Sequence, residues 1–149
     1  MSHAAPQFCS AEAPEALAGA LSRDADVAAA WLYGSRARGD ARRGSDVDVA
    51  VILRAGVPAT HRWRKRLEYA DALACALGTD DVDVVLLEEA PAALGHRVVR
   101  DGLLVVDRDP RRRVQVVEEV LRRYLDEAAL RTALDEGLRQ RLREGRFAR

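Results

Sequence analysis

The stretch from Asp46 to Arg54, DVDVAVILR, constrains this chain more than any other segment. Its β-branched content and alternating pattern mark a β-strand. Successive side chains point to opposite faces of a strand, so Val47, Val49, Val51 and Leu53 share one face, ready to meet covering helices. Asp46, Asp48, Ala50 and Ile52 share the other, which presents two carboxylates together at the strand's end. Any fold for this chain must cover the valine face and leave the acidic end open.

The neighbouring segments set that strand in an α/β (α+β) domain. Val27–Tyr33 (VAAAWLY) is an apolar run ending at a glycine and reads as a buried strand; Asp81–Leu87 (DVDVVLL) is a third strand, and Leu103–Val106 a short fourth. Helices fall between them. Pro14 stands at a first-turn position, and Leu17 and Leu21 share a face. Thr60 can cap a helix running to Gly78, with Trp63, Leu67, Ala70, Leu73 and Leu77 on one side. Pro91–Asp101 is a helix closed by Gly102. Asp109-Pro110 starts the last helix, striped by Val114, Val117, Leu121, Tyr124, Leu125 and Ala128; Leu134, Leu138 and Leu142 either continue it or follow a bend near Gly137. Trp31 and Trp63 are expected in the core, as is Cys75. The expected architecture is a small mixed sheet flanked by helices. Residues 1–11 form a flexible lead-in, 12–108 the main body of the domain, and 109–149 its C-terminal helical extension.

Composition narrows function by exclusion. The chain has 149 residues, enough for one domain, and balances 24 Lys+Arg against 24 Asp+Glu, so no net field favours nucleic acid or a membrane surface. No apolar run approaches the ~20 residues of a membrane span. The N-terminus lacks the pattern of a secretory signal, and Cys9 and Cys75 make neither a metal motif nor a disulfide framework, so a cytoplasmic setting is expected. His61 and His96 have no partner at metal or triad spacing.

Chemistry concentrates between Tyr33 and Leu53, YGSRARGDARRGSDVDVAVIL. The Asp46 and Asp48 carboxylates repel each other unless a cation or proton lies between them, and Mg²⁺ with its preference for oxygen ligands suits the pair. If the third strand neighbours the second, Asp83 completes a three-carboxylate cluster, enough for two ions roughly 4 Å apart. Asp81 shares the Asp83 face and competes for that role. The Gly34-Ser35 turn, opening a helix, can bring backbone N–H groups close to triphosphate oxygens, with the Ser35 hydroxyl adding a bond. Arg36 and Arg38 either meet phosphate or, for Arg38, pair with Asp40. Ser45 shapes the turn before Asp46.

Gly-Ser, ten intervening residues, Asp-x-Asp and a later strand aspartate resemble the nucleotidyltransferase superfamily of DNA polymerase β. The wording GSRARGD and SDVDVAV is most similar to its minimal nucleotidyltransferases, and among these to antitoxins encoded beside HEPN-domain ribonuclease toxins. The resemblance implies the polymerase-β-like fold, with Gly34 and Ser35 holding the triphosphate of ATP and Arg38 and Ser45 beside them. It implies Asp46, Asp48 and Asp83 as metal ligands for Mg²⁺, with Asp83 helping to activate the acceptor. It further implies AMP transfer to a tyrosine hydroxyl of a HEPN toxin, with that toxin as partner. Two other functions compete. An aminoglycoside-type transferase usually carries an added helical domain for its acceptor, and this chain has one or two helices after the sheet. An antitoxin acting by binding alone needs no catalysis, although every acidic position of the pattern is present.

Overall fold

A computed structural model describes residues 13–41 and 44–143. The expected flexible lead-in lies outside the described residues. The elements run α1 (Ala13–Leu21), β1 (Val27–Tyr33), α2 (Ser35–Arg38), β2 (Val47–Leu53), α3 (Ala59–Leu77), β3 (Val82–Leu86), α4 (Ala92–Asp101), β4 (Leu103–Asp107) and α5 (Pro110–Arg143). The strands form one sheet in the order β3-β2-β1-β4. β1 pairs antiparallel with both β2 and β4, whereas β2 and β3 are parallel. This is the mixed, helix-flanked sheet that the sequence implied.

Each strand is placed by what it can bury. β1, apolar at every position, is buried along its whole length because it lies inside the sheet with helices over both faces. On one side Val49, Val51 and Leu53 of β2 pack with Leu17 and Leu21 of α1 and Tyr69, Leu73 and Leu77 of α3. On the other, Trp31, Tyr33, Ala50 and Ile52 meet Val98 of α4 and Val116 and Val120 of α5. Gly95 lets α4 approach α5 closely, since a Cβ there would lie 2.7 Å from Val120 Cγ1. His96 and Tyr124 stack between the same helices at 3.9 Å. The Asp109 carboxylate accepts the Arg112 N–H at 3.0 Å, the cap expected for α5, a device that stabilises a helix by ~1 kcal/mol.

Helix faces differ from expectation where the sheet runs out. Trp63 is 65% exposed and Leu67 53%, and Cys75 is exposed too, so none of the three is core. The buried side of α3 is Tyr69, Leu73 and Leu77, because only the second half of the helix lies against α1. The helix also begins at Ala59 after Pro58 with no side-chain cap, so Thr60 does not cap it. α5 continues through Gly137 without a break, and its buried residues are Val116 and Val120. Val114 and Leu125 of the expected stripe are exposed, as are Leu130, Leu134, Leu138 and Leu142 farther along. Among the described residues no helix is long and apolar enough to cross a membrane.

Candidate active site

The candidate site lies at the end of the sheet where β1 finishes and β2 and β3 begin. Tyr33, the last residue of β1, is the register partner of Asp48. The chain then turns through Gly34 at φ 75° and ψ −153°, a conformation that side chains with a Cβ rarely adopt. The glycine is required twice over, because a Cβ at Gly34 would collide with Asp48 Oδ2. The Gly-Ser turn is thereby seated directly on the second carboxylate of the Asp-x-Asp pair.

Ser35 opens α2, one turn long, which Gly39 ends in a left-handed conformation. Arg36 crosses from α2 to the residues before β2, donating from Nε and Nη2 to the Ser45 carbonyl at 3.1 and 2.8 Å. It is a clamp between the turn and the acidic strand, which commits two of its five N–H donors. Arg38 Nε lies 3.4 Å from Asp40 Oδ2 in an exposed pair, the partner foreseen as the alternative to phosphate.

Asp48 and Asp83 are direct neighbours across the parallel β2–β3 ladder. Asp81 stands before β3, where its carbonyl accepts the Val47 N–H at 2.8 Å, so Asp83 is the one in register with the site. Burial pushes the Asp48 carboxyl above the usual range, and the charges of Asp83 and Asp46 add to that, with Arg38 opposing. The Tyr33 hydroxyl is pushed up to about 12 by burial and by Asp48 and Asp83. Asp83 also has Arg66 Nη2 at 3.6 Å, reaching from α3. Among the described residues no three His, Cys, Asp or Glu side chains converge closely enough to hold a metal ion. The donor set nonetheless suits a hard divalent cation: the partly buried Asp48 carboxylate is repelled by both Asp46 and Asp83, and Asp46 and Asp48 are in no ion pair among the described residues.

These elements surround an open cleft of about 560 Å³ lined by Tyr33, Gly34, Ser35, Arg38, Ser45, Asp46 and Asp48. That volume is in the range of small-molecule and cofactor sites. Gly44, Leu94 and Arg97 complete the lining, whereas Asp83 stands outside it. Sequence reasoning missed Tyr33, Leu94 and Arg97. Tyr33 was detectable as the strand residue immediately before Gly-Ser. The two α4 residues carry no motif, and only their i, i+3 spacing on a helix after the third strand hints at a shared face.

A mixed sheet with a glycine turn seated on an Asp-x-Asp strand end defines the class as a nucleotidyltransferase scaffold. The chain belongs to the polymerase β nucleotidyltransferase family, whose pattern matches residues 15–111. It is 39% identical over 72 residues to the protein adenylyltransferase MntA of Shewanella oneidensis, a match covering 48% of each chain. The chain thus matches about half the length of that curated relative. A toxin–antitoxin crystal structure with AMP-PNP superposes with a TM-score of 0.66 at 26% identity, covering 84% of this chain and 97% of the other. A tri-AMPylated Shewanella oneidensis HEPN toxin in complex with its MNT antitoxin matches with a TM-score of 0.62 at 22% identity, over 87% and 98% of the two chains, and shares the fold.

Proposed function

We propose that this chain is a Mg²⁺-dependent nucleotidyltransferase that works in the cytoplasm as an antitoxin, moving AMP from ATP to a tyrosine hydroxyl of a HEPN ribonuclease toxin. The observation that carries this is the contact of Gly34 with Asp48, which brings a phosphate-sized turn and the acidic strand end into one cleft. The likeness to an adenylyltransferase supports AMP as the group moved, and the likeness to a toxin–antitoxin complex holding an ATP analogue supports a protein acceptor.

In this mechanism the backbone N–H groups of the Gly34–Ser35 turn and the Ser35 hydroxyl bind phosphate oxygens. Asp46, Asp48 and Asp83 would hold Mg²⁺, which when bound neutralises the charge that develops on the phosphates. Arg36 keeps the turn and the acidic strand at a fixed separation through Ser45. The acceptor oxygen attacks the α-phosphorus in line with the bond to the departing pyrophosphate. One P–O bond forms as the other breaks, and the hydroxyl proton passes to Asp83, which stands beside Asp48 across the β2–β3 ladder.

The test is to incubate the chain with α-labelled ATP, Mg²⁺ and a HEPN toxin, then weigh the toxin intact. Addition of AMP units to a partner tyrosine, absent with Asp48→Ala, is the expected result. A partner left unmodified but fully neutralised would replace this function with binding alone. The exposed leucines of α5 keep a binding contribution in play alongside catalysis.

A further inference from the structure

The cleft has an arginine that neither the family motif nor the Gly-Ser turn accounts for. Leu94 and Arg97 lie one turn apart on α4 and both line the cleft that Gly34 and Ser35 also line. The helix is held firmly behind them: Ala92, Gly95 and Val98 are buried, and Gly95 abuts Val120 of α5. Farther along the same face, the carboxyl of Asp101 is lowered chiefly by its bond to Arg100, with the charges of Arg38 and His96 contributing. The Arg97 charge is likewise felt at the Tyr33 hydroxyl. The 94-97-101 face of α4 therefore overlooks the phosphate turn.

A nucleoside triphosphate brings more negative charge than a metal ion on Asp46 and Asp48 can offset. Arg36 is bound to the Ser45 carbonyl through two of its nitrogens, and Arg38 is paired with Asp40. Arg97 alone of the cleft-lining arginines has no hydrogen bond or ion pair to a described residue, and it is exposed. A planar guanidinium on a rigid helix suits bidentate contact with phosphate oxygens.

We propose that Arg97 is a nucleotide-binding residue whose guanidinium holds the β- and γ-phosphates, the part of ATP that leaves as pyrophosphate. This rests on the nucleotidyltransferase function proposed above. Because it binds the leaving group, Arg97 discriminates triphosphate from monophosphate and favours pyrophosphate departure.

The experiment is calorimetric titration of the full chain, with Mg²⁺, by a non-hydrolysable ATP analogue and separately by AMP. Arg97→Ala should weaken the ATP analogue about tenfold and leave AMP unchanged, with Arg97→Lys in between. Arg97 is exposed, so both variants should melt with the wild type. Equal weakening of both nucleotides, or none of either, would overturn the assignment while leaving the proposed function standing. Wild-type protein that binds neither nucleotide would instead defeat the nucleotidyltransferase function itself.

Discussion

The two ends of the sheet treat carboxylates in opposite ways. Where β1 starts and β2 and β3 finish, Asp24 accepts Lys65 Nζ at 2.6 Å, the Tyr69 hydroxyl at 3.0 Å and the Asp26 N–H at 2.9 Å. Asp26 shares the same lysine at 2.8 Å. Burial raises the Asp24 carboxyl, but Lys65, the Asp26 N–H and Tyr69 outweigh it and leave it lowered. Glu88 takes the Leu53 N–H and Arg112, although burial still holds its carboxyl above the usual range. At the other end Asp48 is raised by burial and by its acidic neighbours, with only the Arg38 charge against them. Carboxylates at the first end are paired with cations of the chain and tie its elements together, even though Glu88 Oε2 is buried without a partner. Those at the second are left with repulsion that a bound cation would relieve, which is how a site is distinguished from a structural ion pair.

The largest break in this contrast is expected from Asp48→Ala. Transfer activity, followed with labelled ATP, should fall by about a thousandfold, since a metal site contributes several kcal/mol of charge stabilisation. The melting temperature at neutral pH, without divalent cations, should stay level or rise because a repelling carboxylate is gone. A fall of several degrees would mean that Asp48 is structural after all.

Gly34→Ala tests the same end through the backbone. The positive φ and the collision with Asp48 should together destabilise the fold by about 2 kcal/mol or more and abolish transfer. Denaturant melts with wild-type stability would show that the turn can relax away from the carboxylate.

At the opposite end, Lys65→Met leaves Asp24 and Asp26 without their cation and should cost roughly 1–3 kcal/mol by chemical denaturation, with no direct effect on the chemistry. The pH dependence follows from Asp24. Its folded-state pKa is depressed, so its stabilisation is present above the unfolded value near 3.8 and is lost as pH falls through the lower folded value. Asp24→Asn should therefore lower stability at neutral pH and converge with wild type in strong acid. Parallel acid-denaturation curves for the two proteins would remove Asp24 from the account. The smallest effect is expected from Arg66→Ala. Its pair with Asp83 is more than half exposed on both sides, so stability should move by no more than ~0.5 kcal/mol.

How far each helix was legible depended on what lay beneath it. The Asp109 cap and the closing Gly78 are local chemistry, readable from one or two residues. The faces of α3 and α5 were not, because apolar spacing shows which residues share a side but not how far the supporting sheet extends. α3 leaves Trp63 and Leu67 beyond its contact with α1, and α5 packs only through its first turns and projects Leu130 to Leu142 outward. The same limit applied to the site. Gly34, Ser35, Asp46 and Asp48 lie within one short span of sequence, whereas Leu94 and Arg97 reach the cleft only because α4 folds back over the sheet.

The strands, their acidic end and the glycine turn were legible along the chain, since alternation and backbone freedom are properties of neighbouring residues. It took the folded chain to set Asp83 rather than Asp81 beside Asp48, to make Arg36 a clamp and to bring Arg97 of α4 to the cleft. Those depend on strand register and helix docking, which arise from contacts between segments distant in the chain.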